Sequence, residues 1–122
     1  MGLKYFFDSC VLINMSKGIQ AYDKYSQEVV TASLFNAIEV YWVLLRDFGD
    51  VVAKVHYSRI RDCSIAVPDD IIFDAMKFRL RHKKKKFSYA DSIGYVLAKK
   101  NNLVFLTSDK EFRGMENVEF VE

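Results

Sequence analysis

The sequence contains little of the residues that break or cross-link a chain: one proline, five glycines and two cysteines in 122 residues. So few prolines and glycines argue against a disordered or linker-rich chain. Two cysteines are too few for a disulfide-stabilised secreted scaffold, and Cys10 and Cys63 lack the paired spacing of a metal site. We therefore expect a single domain spanning residues 1–122, with free thiols in a reducing compartment.

Long apolar runs and an export-type leader are also missing, so the sequence predicts no membrane contact and a cytoplasmic protein. No strong charge excess points to a partner, because the net charge is only +2. The basic residues are nevertheless uneven, with four consecutive lysines at Lys83, Lys84, Lys85 and Lys86. Such a run is more often a solvated loop than a binding surface, but these lysines are candidate contacts to the phosphates of a nucleic acid.

Apolar residues are abundant, at 51% of the chain, and they are grouped in a way that alternates strands with helices. Short apolar runs predict five strands, at residues 3–7, 29–32, 64–67, 103–106 and 118–121. The stretches between them have helical periodicity or helix-capping residues. This order predicts an α/β fold, a three-layer α/β/α arrangement around a mostly parallel five-stranded sheet.

The stretch from Ser88 to Asp109 combines the clearest helix with the clearest buried strand. Ala90, Ile93, Gly94, Leu97 and Ala98 recur on one helical face, and two of these are small enough to lie close to a sheet. Ser88 is a suitable N-cap, with Asp91 three residues later. The apolar run at 103–106 then leads to Asp109, at the end of a strand, where ligands bind in open α/β sheets.

Four carboxylates occupy positions that bulk composition does not explain. Asp8 and Asp109 follow apolar strands, Asp91 opens a helix, and Glu39 is the one charge in the run LFNAIEVYWVLL. Taken singly, each aspartate is equally well explained as a helix cap, and Glu39 can reach solvent from a helix edge.

Taken together, the four carboxylates predict a metal site. Crowded carboxylates repel one another and raise one another's pKa, and a divalent cation relieves that repulsion. Mg²⁺ and Mn²⁺ prefer such oxygen ligands, and an ion of this kind can activate water toward a phosphodiester. Ser9, Thr107 and Ser108 lie beside these carboxylates in the sequence and are suited to orienting them or to contacting phosphate.

The order of these blocks resembles the PIN domain, the metal-dependent nuclease fold of VapC-type toxins from toxin–antitoxin pairs. The matching segments are FFDSCVLI, IEVYW, SYADSIGYVLA and FLTSDKEF. The resemblance implies a Mg²⁺ or Mn²⁺ site formed by Asp8, Glu39, Asp91 and Asp109, endoribonuclease activity on RNA, an antitoxin protein as candidate partner and a homodimer. One position departs from the family, because Cys10 stands where many members carry a polar residue such as asparagine.

Other functional classes fit these residues less well. An aspartyl-phosphate phosphatase needs a second carboxylate two residues after the first, where this chain has Cys10. A phosphoacceptor receiver domain needs an acidic pair before the first helix and a lysine earlier than Lys110. A non-catalytic RNA-binding or protein-interaction module with the same fold stays open as the alternative, although all four acidic positions are filled.

Overall fold

A computed structural model describes Gly2 and residues 4–122. Within this part of the chain, three parallel strands form a sheet in the order β1-β2-β3. The strands are β1 (Tyr5–Phe7), β2 (Val104–Thr107) and β3 (Val118–Phe120). Phe7 pairs with Leu106, so Asp8 and Thr107 follow at the same edge of the sheet. That edge is the carboxyl end of the strands, where the sequence predicts the site.

The helices connect these strands and cover both faces of the sheet. They are α1 (Ser9–Ser16), α2 (Leu34–Phe48), α3 (Asp50–Asp62), α4 (Asp69–Arg81) and α5 (Tyr89–Lys100), with 3₁₀ helices at Gln20–Tyr25 and Lys110–Phe112. Several begin at side-chain caps that the sequence indicates. Ser33 and Ser88 each form a reciprocal capping box, and Asn102 has the left-handed φ of 57° expected after α5.

Alternating side chains of the strands divide the core into two clusters. Phe7 and Leu106 pack with α1, α2 and α3 on one face. Phe6 and Phe105 pack with α4 and α5 on the other face. Strands buried on both faces require this sandwich of helix, sheet and helix. The predicted three-layer α/β fold with a parallel sheet is therefore confirmed.

The predicted number of five strands is wrong for the described residues. Segments 29–32 and 64–67 are joined by a single parallel bridge, Ala32 to Ser64, and neither forms a regular strand. Thr31 still accepts a hydrogen bond from the Phe7 N–H at 2.8 Å, so the first segment extends the sheet edge by one contact. Both segments are too short for a ladder, since Ser33 already caps α2 and Pro68 has no N–H to donate.

The remaining predicted boundaries differ little from the observed ones. The first strand was expected at 3–7 and is observed at Tyr5–Phe7, while Leu3 lies outside the described residues.

In the described ranges, 2 and 4–122, no helix is both long enough and apolar enough to cross a membrane.

Candidate active site

A cavity of about 630 Å³ opens at the carboxyl end of β1 and β2, and all four predicted carboxylates line it. Its lining residues are Asp8, Ser9, Cys10, Ile13, Ile38, Glu39, Trp42, Val43, Ser88, Asp91 and Asp109. The acidic residues come from four separate parts of the chain, which the parallel sheet and the starts of its helices bring together. This volume is in the range of small-molecule and cofactor sites.

Asp8 is the most deeply buried of the four acids, and its carboxylate is held by several donors. One oxygen, Oδ1, accepts the Ser9 N–H at 2.8 Å, which makes Asp8 the N-cap of α1. The other, Oδ2, accepts the Thr107 hydroxyl at 2.7 Å. Thr107 in turn accepts the Asp109 N–H at 3.0 Å. The two strand-end aspartates are therefore linked through one buried hydroxyl group.

Cys10 adds a second connection between the same two strand ends. Its Sγ lies 3.3 Å from Asp8 Oδ2 and 3.5 Å from Thr107 Oγ1, and it accepts the Ser108 N–H at 3.4 Å. Burial and the nearby Asp8 carboxylate raise the pKa of the Cys10 thiol to about 12. Cys10 is therefore a neutral thiol that donates to Asp8. It occupies the position at which the resemblance described above led us to expect a polar side chain.

Asp91 is at once a helix cap and a wall of the cavity. Its Oδ2 accepts the Ser88 N–H at 2.8 Å, while Ser88 Oγ accepts the Asp91 N–H at 3.0 Å. Asp109 likewise caps the short helix that follows it, by accepting the Glu111 N–H at 3.0 Å. The capping interpretation is therefore confirmed for both residues, and each cap leaves part of the carboxylate free to face the cavity.

The carboxylates affect one another electrostatically. Burial, with a further contribution from the Asp91 charge, raises the pKa of Asp8 to about 7. Burial also raises the pKa of Asp91 to about 6, with Glu39 and Asp109 adding to the increase and the Ser88 N–H opposing it. Such mutual repulsion is expected of acids that share a low-dielectric cavity without a cation.

Glu39 reaches the cavity from α2, and its carboxylate accepts no hydrogen bond within the described part of the chain. The start of α2 is fixed by Asn36, which sequence analysis did not single out. Asn36 donates to Ser9 Oγ at 2.9 Å and accepts the Ser33 N–H at 3.0 Å. This fully buried amide ties the α2 N-terminus to the residue after Asp8. The only sequence signal for it is the spacing Ser-x-x-Asn of a capping box.

The donor chemistry of the cavity fits a hard divalent cation. Four carboxylates supply oxygen ligands of the type that Mg²⁺ and Mn²⁺ prefer, and no thiolate competes because Cys10 stays protonated. The four carboxylates line the same cavity, but they do not converge on a single point. Across Gly2 and residues 4–122, no three of the His, Cys, Asp or Glu side chains are grouped tightly enough to enclose an ion.

The lysine run lies beside the segment that carries Asp109. Lys85 Nζ donates to the Glu111 carbonyl at 2.7 Å, and the Lys86 N–H donates to Glu111 Oε1 at 2.9 Å. These contacts fix the loop against the short helix after Asp109. Lys83, Lys84 and Lys86 remain exposed. One side of the cavity region is therefore basic, whereas α2 contributes the exposed apolar side chains Ile38 and Trp42 to the cavity itself.

Comparison with known proteins gives one family match and several structural matches. A sequence model of the PIN domain matches residues 5–118. A search of curated proteins finds no match. Among solved structures, a toxin–antitoxin complex from Klebsiella pneumoniae contains a chain of 21% identity with a TM-score of 0.74, covering 98% of both chains.

Two further solved structures have the same fold at lower identity. VapC20 from Mycobacterium tuberculosis, described as a sarcin–ricin loop cleaving toxin, is 17% identical with a TM-score of 0.73, covering 83% of this chain and 85% of that chain. VapBC2 from Rickettsia felis, bound to a DNA fragment from its promoter, contains a chain of 14% identity and TM-score 0.70, covering 97% of both chains.

Proposed function

The chain belongs to the PIN domain family, and from that premise we propose that it is an endoribonuclease that hydrolyses RNA phosphodiester bonds with a Mg²⁺ or Mn²⁺ ion. The observation that carries the proposal is the placement of Asp8, Glu39, Asp91 and Asp109 around one cavity at the carboxyl end of β1 and β2. These four residues would hold the ion and form the catalytic set. A bound ion of this kind supplies an activated water and neutralises charge on the phosphate.

The protein's own contribution is to hold the acidic groups in place. Thr107 and the Ser9 N–H each occupy one oxygen of Asp8, which fixes the orientation of its carboxylate. The Ser108 N–H, bonded to Cys10, holds the turn that leads to Asp109. Such supporting contacts determine how well a metal is bound, because they set the direction of its ligands. The chain's Ser9, Thr107 and Ser108 therefore act as positioning residues in this proposal.

RNA is the proposed substrate, and an antitoxin protein is the proposed partner. One structural neighbour is named as a sarcin–ricin loop cleaving toxin, and two others are toxin–antitoxin assemblies. The exposed lysines beside Asp109 support an anionic substrate. We propose that the protein acts in the cytoplasm as a homodimer, as is common in the family; light scattering of the purified chain tests the dimer.

The proposal is tested by RNA cleavage with and without metal. Asp8→Asn and Asp109→Asn should each lower the cleavage rate by orders of magnitude, because the ion loses a ligand and its chemistry is lost with it. Asp62→Asn is the matched control, since Asp62 is exposed at the end of α3, outside the cavity. Near wild-type cleavage by both cavity variants would refute the assignment.

The same assay decides between the enzyme and a binding module. Cleavage that stops with EDTA and returns with Mn²⁺ supports a metal-dependent nuclease. RNA binding that persists while no cleavage occurs under any metal condition would instead indicate a module that kept the fold without turnover.

A further inference from the structure

Tyr89 is an exposed aromatic residue at the start of α5, and in the chain it directly follows the basic loop of residues 82–88. Its side chain is 63% exposed, and it is the first residue of the helix. The preceding residue, Ser88, lines the cavity, and Asp91 lines it two positions later. On a helix, residues two apart do not face each other, so the Tyr89 ring is directed away from Asp91. It therefore lies beside the acidic cavity and not within it.

Arg79 lies over this ring and is itself held in place. Its guanidinium carbon is 4.7 Å from the centre of the Tyr89 ring. Its Nε donates to the Phe87 carbonyl at 3.0 Å, which fixes the plane of the group against the backbone before α5. Within the described residues Arg79 forms no ion pair with a carboxylate, so its charge is not neutralised. Arginine and tyrosine thus form a positively charged stack.

The chain that joins the two halves of this stack is the basic loop. Residues 82–88 run from the end of α4, which carries Arg79, to Tyr89, and they include the exposed Lys83, Lys84 and Lys86. An exposed aromatic ring among unpaired cations is the arrangement by which proteins bind unpaired nucleotides, with cations at the phosphates and rings on the bases. The local positive charge favours RNA as the ligand of this stack. An apolar protein partner would fit better on the exposed side chains of Ile38 and Trp42.

We propose that the Tyr89–Arg79 stack binds an unpaired base of the RNA substrate, beside the cavity that Ser88 and Asp91 line. This deepens the proposed nuclease function and rests on it. The base would lie on the exposed ring, while Lys83 and Lys84 contact phosphates farther along the strand. The probe for this contact is single-stranded RNA, because a base in a regular duplex cannot reach a side chain in this way.

Binding is measured first, in EDTA, with a short fluorescein-labelled single-stranded RNA and the full chain. Tyr89→Ala should weaken binding roughly tenfold, the usual effect of losing one base–aromatic contact. Tyr89→Phe should bind like wild type, because the ring is retained. Arg79→Lys should bind more weakly despite its unchanged charge, since lysine has no planar group to stack. Phe73→Ala is the matched control: Phe73 is 62% exposed and lies on α4.

A series of RNAs, each with one abasic nucleotide, identifies the base that contacts the Tyr89–Arg79 stack. Abasic nucleotides placed in turn along the RNA should reveal one position that weakens wild-type binding but has no further effect on Tyr89→Ala. The proposal is overturned if Tyr89→Ala binds like wild type, or if every abasic position weakens the variant and wild type equally. It is also overturned if Phe73→Ala weakens binding as much. Failure of the nuclease proposal is seen separately, as absence of wild-type cleavage with Mn²⁺.

Discussion

Cys10 stands where the family resemblance led us to expect a polar side chain, and its contacts give that expectation a measurable consequence. The thiol donates to Asp8 Oδ2 and accepts the Ser108 N–H, so it joins both strand ends. Cys10→Ala removes these contacts, and loss of such an outer contact typically weakens metal affinity about 10- to 100-fold. Cys10→Ser keeps a hydrogen-bond donor, so its metal affinity should fall less than that of Cys10→Ala.

The measurement for Cys10 is the Mn²⁺ concentration dependence of the melting temperature, in wild type and both variants. A ligand that binds only the native state raises stability with its concentration, so a weakened site shifts this curve to higher Mn²⁺. Identical curves for wild type and Cys10→Ala would show that the thiol does not orient the site.

At the scale of single residues, the sequence indicated the four acids that line the cavity, and it indicated only some of the residues that support them. Asp8, Glu39, Asp91 and Asp109 could be found because a charge beside an apolar run or a helix start is visible in one dimension. Asn36 could not be found in this way, because its role depends on a hydrogen bond to Ser9, which is 27 residues away in the sequence. Tyr89 was likewise invisible, since nothing in the pattern distinguishes an exposed aromatic residue from a core one.

Gly94, in the middle of α5, packs directly against the sheet. A Cβ added there would lie 2.9 Å from Phe6 Cε1 and 3.2 Å from Phe105 Cε1. Both rings are fully buried and belong to the sheet. Gly94→Ala should therefore destabilise the protein, because overpacking costs about 1–3 kcal/mol while the better helix propensity of alanine returns up to about 1 kcal/mol.

Urea unfolding checks this expectation, with Gly2→Ala as the control, because a Cβ at Gly2 would meet nothing within 4 Å. A Gly94→Ala protein as stable as wild type would mean that the Phe6 ring can move aside. The sequence analysis expected a small residue on this face of α5, and the observed contact explains why.

The basic loop divides into lysines with different roles. Lys85 is bonded to the Glu111 carbonyl, whereas Lys83, Lys84 and Lys86 are exposed. Replacing the three exposed lysines with alanine should flatten the salt dependence of RNA binding, since each phosphate contact on a single strand adds about 0.7 to the slope. Lys85→Ala should instead lower the melting temperature and leave the slope nearly unchanged. A slope equally reduced by Lys85→Ala would contradict this division.

Helices were easier to predict than strands, for reasons of length. The α5 helix carries full turns of apolar periodicity and a serine cap, so its start could be located. Segments 29–32 and 64–67 have apolar strand composition, yet they form only one bridge. Whether such a short run becomes a strand depends on partners distant in sequence, and local composition does not contain that information.

For the whole molecule, the grouping of four acids in one cavity links stability to both pH and metal. The pKa of Asp8 is raised to about 7 and that of Asp91 to about 6, from an ordinary value of 3.8. At these two carboxylates the folded state therefore binds protons more tightly than the unfolded state. This contribution to stability is complete below about pH 4 and is lost as the pH rises through 6 and 7.

In EDTA, the protein should therefore melt at a higher temperature at about pH 5 than at about pH 8. With millimolar Mn²⁺ the difference should shrink or reverse, because the metal binds deprotonated carboxylates and stabilises only the native state. Asp91→Asn removes one charge but keeps an oxygen that can accept the Ser88 N–H. In EDTA at about pH 8 it should be at least as stable as wild type, and it should gain less from Mn²⁺. A variant clearly destabilised in EDTA that gains as much from Mn²⁺ as wild type would make Asp91 a helix cap alone. The acidic set would then consist of Asp8, Glu39 and Asp109.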